Sequence, residues 1–334
     1  MAQQITIAFQ TDKPITAYGP LAAAVEAYGF DGVSVYNDML YQPAWLPLLE
    51  MARHTRRVRL GPAAVNPFTC HPINIAGHIA LIDEMSQGRA YLGLARGSWL
   101  DFVGLKPEHP ITALREAFEC VRHLLRQATK PYPGQIFPLA GGDSLRWQVQ
   151  RAEIPFLLGA WGEQTIRACL PYVNEIKIGG TANPGVILQV QAAVAAAARL
   201  HHTDSAAVGI VIGAVTVVAE DGQAARQLAR RKVALYVPVV APLDQSLQLE
   251  PELLQGIGDA AAEYDFERAG GYISDDLLRR FAFAGTPDEV AQQAQELFAA
   301  GASRVEFGTP HGLTAEEGVR LLGEKVLPAL RSRA

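Results

Sequence analysis

Residues 58–97 read VRLGPAAVNPFTCHPINIAGHIALIDEMSQGRAYLGLARG and contain one strand–helix–strand unit. The apolar runs 58–65 and 89–96 predict two buried strands, and the run 73–86 between them predicts a helix. Three prolines follow the start of the first strand at intervals of five residues: Pro62, Pro67 and Pro72. Because proline donates no backbone hydrogen bond and fixes its own φ, this strand cannot end in a regular ladder. Unusual backbone of this kind is typical of ligand sites.

The same alternation of strand and helix extends over most of the chain. Eight segments predict short buried strands: 5–10, 32–37, 58–65, 89–96, 155–161, 175–180, 208–219 and 304–310. Eight strands alternating with helices predict an α/β fold of the (β/α)8 TIM-barrel type, as one domain over residues 1–334. The stretches of about 128–152 and 241–285 interrupt the alternation and are predicted insertions. A doubly wound sheet is the alternative, but the first strand runs into QTDKPITAYGP without a glycine-rich dinucleotide turn.

The amino-acid composition excludes several classes of function. The 334 residues are 49% hydrophobic and 19% charged, with a formal net charge of −5. These values predict a large core and give no support for nucleic-acid binding, which needs a basic face. No apolar run is long enough to predict a membrane span, and no targeting signal precedes the first strand. Three widely spaced cysteines predict neither disulfides nor a metal site. We therefore expect a cytoplasmic protein.

The active site of a (β/α)8 barrel lies at the carboxyl ends of its strands. Few titratable side chains occur at the predicted ends: Asp38, Arg96, Asp101, Glu163, Glu306 and His311. Glycine, small residues and aromatic residues predominate, and no metal-ligand or nucleophile motif is present. Such a site favours a bound flat cofactor that supplies the chemistry. The glycine-rich turns GAWGEQT (159–165) and GGTANP (179–184) each lead from a strand into a helix, which is typical of phosphate binding.

Three stretches resemble a known family: the unit 58–97 and, further along, ALREAFECVRHLL and PFLLGAWGEQTIRACLPYVNEIKIGGTANP. Together they closely resemble the bacterial-luciferase-like superfamily. Within it the chain resembles the branch that uses the deazaflavin coenzyme F420, especially methylenetetrahydromethanopterin reductase-like proteins. The resemblance implies a non-prolyl cis peptide at the end of the third strand, behind the deazaflavin ring. We place it at Ala64–Val65. The structural alternative is that this strand end is a bulge with a trans peptide bond, which closes the barrel and has no ligand role.

The resemblance and the strand ends together give two sets of expected site residues. Residues expected to bind the cofactor are Asp38, Ala64, Val65, Asn66, Gly97, Gly159, Ala160, Trp161, Gly162, Glu163, Gly179, Gly180 and Thr181. Residues expected to bind the substrate are Met39, Trp45, Arg96, Ser98 and Trp99.

The chain departs from the sugar-phosphate dehydrogenases of this branch. Met39 stands where those enzymes have a histidine, and Ser98 stands where they have an acid. Cys70 replaces a frequent arginine. The acid–base groups for oxidising an alcohol are therefore missing, and the catalytic residues stay unassigned.

Three weak catalytic candidates remain: Asp38, Arg96 and His311. Each has a structural alternative. Asp38 could cap the second helix, Arg96 could pair with Glu306 or Asp38, and a lone histidine such as His311 is usually structural. Trp45 and Trp99 could instead pack loops or an interface.

The leading hypothesis is an F420-dependent oxidoreductase that transfers a hydride between deazaflavin C5 and a C=N, C=C or carbonyl carbon of a small organic substrate. An FMN-dependent luciferase-like monooxygenase is the first alternative, and a non-catalytic barrel that only binds is the second. Family members are commonly dimers, so we also expect a homodimer.

Overall fold

The computed structural model describes residues 3–332. Its strands are β1 Gln4–Phe9, β2 Gly32–Val35, β3 Arg59–Pro62, β4 Leu92–Ala95, β5 Phe156–Gly159, β6 Glu175–Gly179, β7 Gly209–Val218, β8 Ala282–Gly285 and β9 Arg304–Gly312. All of their pairings are parallel.

Eight of these strands form a nearly closed barrel in the order β3-β2-β1-β9-β7-β6-β5-β4. Two parallel bridges, Leu60 with Ala90 and Val65 with Leu94, join the two ends of this order. The strands are buried on both faces because helices cover the outside. The predicted (β/α)8 barrel is confirmed.

Helices connect the strands around the outside of the barrel. They are α1 Tyr18–Tyr28, α2 Trp45–His54, α3 Pro72–Met85, α4 Pro110–Leu125, α5 Glu163–Cys169, α6 Gly185–His201, α7 Gly222–Val233, α8 Val237–Val240, α9 Pro251–Ala262, α10 Phe266–Gly271, α11 Asp275–Phe281, α12 Pro287–Ala299, α13 Ala315–Leu321 and α14 Leu327–Arg331. Within residues 3–332, no helix has both the length and the apolar character that crossing a membrane requires.

The segment 241–285 differs from its prediction of helices and turns alone. Its last four residues form β8, which pairs with residues 215–218 of β7. β8 follows α11 directly, so neither a turn signal nor a length of alternating residues marks it in the sequence. The other segment, 128–152, contains only one isolated antiparallel bridge, between Tyr132 and Leu139. Buried Glu116 of α4 accepts three backbone N–H groups from residues 135–137 and anchors this segment.

Candidate active site

The end of β3 leaves the regular ladder as the prolines predict. The N–H of Ala63 donates to the carbonyl of Val35 in β2, whereas the N–H of Val65 donates to the carbonyl of Gly93 in β4. The chain changes partner between these two residues, and the cis peptide bond lies there, at Ala63–Ala64. The predicted position, Ala64–Val65, is therefore wrong by one residue. Val65 is held by β4 on both sides, since its carbonyl accepts from Ala95 N–H.

Small residues line the mouth of the barrel from β3 to β6. We call Ala64, Gly97, Gly159 and Gly179 the shelf. Gly159 lies opposite Ala95 in the ladder, and a Cβ at Gly159 would lie 3.1 Å from the Ala95 Cβ. A Cβ at Gly179 would meet no atom within 4 Å and would project into open space. The shelf therefore exposes backbone rather than side chains.

Asn66 shapes the loop beside the shelf. Its side-chain oxygen accepts hydrogen bonds from the N–H groups of Phe68 and Thr69. The amide nitrogen faces Gly97, where a Cβ would approach it to 3.0 Å, and Gly97 has a φ of +86°. Glycine is required at position 97 by both the space and the backbone conformation. The Asn66 oxygen is therefore used within the loop, and the amide nitrogen leaves Asn66 a candidate for a cofactor contact.

The turn after β5 is open, as predicted. Gly162 is the N-cap residue of α5 and has no side chain to bond the first N–H groups of the helix. Gly162 and Glu163 are exposed, Ala160 and Trp161 are half-buried, and the Trp161 indole N–H donates to the carbonyl of Gly179. The Thr165 N–H donates to the carbonyl of Gly162. Within residues 3–332 the N–H groups of Glu163 and Gln164 have no partner, so this turn offers two free donors at the edge of the shelf.

The turn after β6 contradicts its prediction as a second phosphate site. The N–H of Gly180 donates to Gly213, and that of Ala182 donates to Arg280. Thr181, which is 1% exposed, donates its hydroxyl to the Arg280 carbonyl. Buried Asn183 donates its amide to Asp244 and Ser246, while its oxygen accepts from Arg280 and Gly185. The Thr181 hydroxyl is therefore used by segment 241–285, and the Gly180 N–H is used by β7, so neither group is free for a cofactor.

The floor of the mouth is polar and was not predicted. Lys177 of β6 forms a buried ion pair with Glu306 of β9, and the Ser34 hydroxyl of β2 also donates to Glu306. Burial alone would raise the pKa of Glu306, but the charges of Lys177 and Arg304 and hydrogen bonds from Lys177 and Ser34 lower it below its usual value. Ser34 also bonds the Tyr91 hydroxyl at 2.6 Å. We call Lys177, Glu306, Ser34 and Tyr91 the interior cluster.

Tyr36 covers the interior cluster on the side of the mouth. It follows Val35, the last residue of β2, and lies two residues after Ser34, so both side chains point into the barrel. The Lys177 Nζ lies 5.2 Å from the centre of the Tyr36 ring. A Cβ at Gly308 of β9 would lie 2.7 Å from the Tyr36 hydroxyl. The side chain therefore spans the interior from β2 to β9.

Asp38 lies beside Tyr36 at the mouth and is exposed. The Gln10 amide donates to the Asp38 carboxylate over 2.6 Å. Asp38 does not cap α2; instead the Asn37 side chain accepts from the N–H of Ala44 just before that helix. The capping alternative is therefore wrong, and Asp38 stays a candidate for a cofactor contact. Met39 is half-buried in the same loop.

The residues that follow β4 form the exposed rim of the mouth. Arg96, Ser98 and Trp99 are all exposed. Arg96 makes no ion pair or hydrogen bond with any residue in 3–332, so the alternative that it pairs with Glu306 or Asp38 is wrong. Trp99 is 59% exposed. These three side chains can reach a ligand above the shelf.

Two candidates lie away from the mouth. Trp45 at the start of α2 stacks on His78 of α3, with ring centres 4.9 Å apart, so it packs these two helices together. His311 is 1% exposed, and its ring nitrogen bonds the carbonyl of Ala8 at 3.0 Å. Burial lowers the pKa of His311 to about 4. Hydrogen bonds to the backbone raise this pKa, but by less than burial lowers it. His311 is therefore a neutral structural residue, and the proton-donor role is withdrawn.

Sequence reasoning missed Lys177 and left Tyr36 without a role. Both lie at alternate positions among apolar residues, in the strands VSVYN and EIKIGG. That alternation was the available signal, since an inward polar residue in a buried strand needs a partner. Among the described residues, no group of three or more His, Cys, Asp or Glu side chains could hold a metal ion.

Comparison with known proteins agrees with this architecture. The family model described as "Luciferase-like monooxygenase" matches residues 4–304. A 5,10-methylenetetrahydromethanopterin reductase of Methanopyrus kandleri is 28% identical, over 95% of each chain. The solved coenzyme F420 dependent tetrahydromethanopterin reductase from the same organism superposes with a TM-score of 0.89 at 24% identity, covering 99% of this chain and 100% of that one. An F420-dependent secondary alcohol dehydrogenase superposes with a TM-score of 0.80 at 17% identity, covering 99% and 100%. The chain is a member of the luciferase-like monooxygenase family.

Proposed function

We propose that this protein is an F420-dependent oxidoreductase that transfers a hydride between the deazaflavin C5 and a small organic substrate. The observation that carries the proposal is the shelf. Four consecutive strand ends present backbone and small residues, which leave a flat surface for a ring system. The reductases that match over nearly the full chain support a deazaflavin in preference to other flat cofactors.

The residues of the mouth fit such a cofactor. The ring would lie against Ala64, and the open space at Gly179 would accept part of its side chain. The free N–H groups at the start of α5 would bond its phosphate, since these groups and the helix dipole favour anions. When bound, the deazaflavin supplies the hydride donor or acceptor atom.

The chain itself would mainly orient the reactants and exclude water. Ionisable side chains at the mouth are few, and Asp38 and Arg96 are exposed at its rim. Large apolar side chains surround the same rim, including Leu40, Trp99 and Phe102, which are 85%, 59% and 67% exposed. A substrate stacked on the ring would be covered by these side chains. Alignment at about 3–3.5 Å is what hydride transfer requires.

The alternative function is an FMN-dependent monooxygenase, which the description of the family model favours. The same shelf would hold an isoalloxazine ring. A non-catalytic barrel remains the third hypothesis.

An anaerobic titration with oxidised F420 and, separately, with FMN separates these functions. Fluorescence reports binding in both cases. We expect F420 to bind much more tightly than FMN, and reduced F420 then to reduce imines, enones or ketones. Tight binding of FMN alone would transfer the assignment to the monooxygenase, and binding of neither cofactor would overturn both enzymatic functions.

Gly179→Val tests the place of the cofactor. The new side chain would fill the open space at the shelf and weaken F420 binding. Gly271→Val is the matched control, because a Cβ at Gly271 also meets no atom within 4 Å but lies on α10. Equal affinities for the two variants would place the cofactor elsewhere.

We also propose a cytoplasmic homodimer that forms through α3. Ile73, Leu81 and Met85 of this helix are 43%, 48% and 44% exposed, which is unusual for apolar residues on one helix of a monomer. Sedimentation equilibrium of the wild type and of Leu81→Glu tests the dimer. A monomeric wild type would contradict it.

A further inference from the structure

We propose that the Tyr36 hydroxyl is a hydrogen-bond and proton donor to the oxygen of a carbonyl or enone substrate. This inference rests on the proposed function and names the substrate class and a catalytic residue for it. The geometry assigns the role, because Tyr36 is the polar side chain that separates the mouth from the interior cluster.

The Tyr36 ring is held from several sides. Its backbone N–H donates to the carbonyl of Phe9 at 3.0 Å. The Lys177 ammonium lies 5.2 Å from its ring centre, which is within the range of a cation–π contact. Gly308 leaves the space for the hydroxyl, since any Cβ there would be 2.7 Å away. The hydroxyl therefore has a fixed position on the floor of the mouth.

The hydroxyl has no hydrogen-bond partner in the described part of the chain, although the residue is half-buried. Some other buried or half-buried tyrosines do have one: Tyr91 bonds Ser34, and Tyr172 bonds Glu119. A half-buried hydroxyl without a protein partner costs free energy unless water or a ligand bonds it. Its position at the mouth makes a ligand atom the natural partner.

The hydroxyl stays protonated at neutral pH. Burial raises the pKa of Tyr36 well above its usual value, and the negative charges of Glu306 and Asp38 raise it further. Tyr36 can therefore donate a hydrogen bond to an accepting oxygen, which an iminium carbon does not offer. This polarity favours a substrate with an accepting oxygen.

The reaction step is balanced as follows. The carbonyl carbon, or the β-carbon of an enone, would accept the hydride that a bound reduced deazaflavin supplies, and the π electrons would move to the substrate oxygen. That oxygen takes the proton of the Tyr36 hydroxyl, because an alkoxide is a stronger base than a phenolate. Water at the open mouth returns a proton to Tyr36. A simple carbonyl would be reduced to an alcohol and an enone to an enol, which tautomerises to the saturated ketone, while the deazaflavin would be oxidised.

The first test needs no cofactor and uses 4-nitrophenol as an oxyanion probe. Its absorbance near 400 nm reports the bound phenolate. We expect Tyr36→Phe to bind the phenolate roughly tenfold or more weakly than wild type, as for the loss of a charge-assisted hydrogen bond. Tyr264→Phe, which removes a hydroxyl from a residue that is 82% exposed outside the site, should bind as wild type does. No binding to the wild type, or equal binding to wild type and Tyr36→Phe, would overturn the inference.

The second test compares two acceptors with reduced F420. One is 2-cyclohexen-1-one, and the other is the oxygen-free iminium N-methyl-3,4-dihydroisoquinolinium. We expect Tyr36→Phe to lower kcat/KM for the enone by about 10²-fold, as for the loss of one oxyanion donor, with the iminium rate unchanged. An equal loss for both acceptors would make Tyr36 structural and overturn the inference. A wild type that reduces neither acceptor would instead contradict the proposed function.

Discussion

The two halves of the barrel mouth differ in how their inward positions are filled. From β3 to β6 the mouth is open and lined by Ala64, Gly97, Gly159 and Gly179. On the side of β9, β1 and β2 the interior is filled by Glu306, Ser34 and Tyr36, which contact one another or Lys177. The filled half buries polar groups that depend on one another, so we expect it to control stability and its pH dependence. The open half buries little, so we expect it to control ligand binding.

The two glycine-rich turns both lie on the open side of the mouth, yet they differ in how their polar groups are used. The turn after β5 keeps free donors, whereas the turn after β6 is bonded by Arg280, Asp244 and Ser246. The same local sequence pattern therefore has two outcomes. The difference comes from segment 241–285, whose residues Arg280, Asp244 and Ser246 hydrogen-bond the second turn.

The largest expected effect is that of Glu306→Gln in the filled half. It leaves the Lys177 ammonium, whose side chain is 8% exposed, without its counter-charge. Breaking one partner of a buried ion pair costs about 3–5 kcal/mol of unfolding free energy. Urea denaturation at pH 7 measures this loss. Glu163→Gln in the open half is the control and should change stability by less than about 0.5 kcal/mol. Similar stabilities for the two variants would remove the distinction between the halves.

The second prediction concerns pH and His311. Because burial lowers the pKa of this residue in the folded state to about 4, the unfolded chain binds a proton first as the pH falls. His311 therefore costs no stability above pH 6.5 and about 3 kcal/mol by pH 4. His311→Asn keeps a residue that tolerates the φ of +79°. The unfolding free energy of the wild type relative to this variant should fall by that amount between pH 7 and pH 4. A constant difference would show that His311 does not titrate in this range.

The third prediction tests the difference between the two glycine-rich turns. Asn183→Ala removes four hydrogen bonds and leaves the buried Asp244 carboxylate with one partner fewer. We expect a loss of about 2 kcal/mol, as for a buried polar group left unsatisfied. Gln164→Ala in the exposed turn after β5 is the matched control and should leave the melting temperature unchanged. A destabilised control would mean that the turn after β5 is bonded as well.

The smallest effect is expected in the open half. Glu163 places a carboxylate on the first turn of α5, next to the donors assigned to the cofactor phosphate. Glu163→Gln should tighten binding of oxidised F420 by about two- to threefold at low salt, and the gain should fade at high salt because the charges are exposed. A fluorescence titration at two salt concentrations measures this. A salt-independent gain would contradict an electrostatic cause.

The sequence by itself determined the barrel and the face of the barrel that carries the site. Short buried strands alternating with helices define a (β/α)8 fold, because each strand must be covered on its outer face. The prolines after β3 also marked the strand end that leaves the ladder. The sequence could not place the cis bond at Ala63–Ala64, since that depends on which neighbouring strand takes each N–H group. It gave no signal for β8, which is defined by its pairing with β7.

The tertiary structure decided which candidate side chains belong to the site. Trp45 and His311 lie near strand ends in sequence, yet one stacks on His78 and the other bonds Ala8. Lys177 and Glu306 are 129 residues apart and form an ion pair only because β6 and β9 flank β7 in the barrel. Thr181 was removed from the site by hydrogen bonds to Arg280, about one hundred residues away. Local pattern fixes secondary structure, whereas hydrogen-bond partners over long separations fix the site, because they exist only once the barrel has closed.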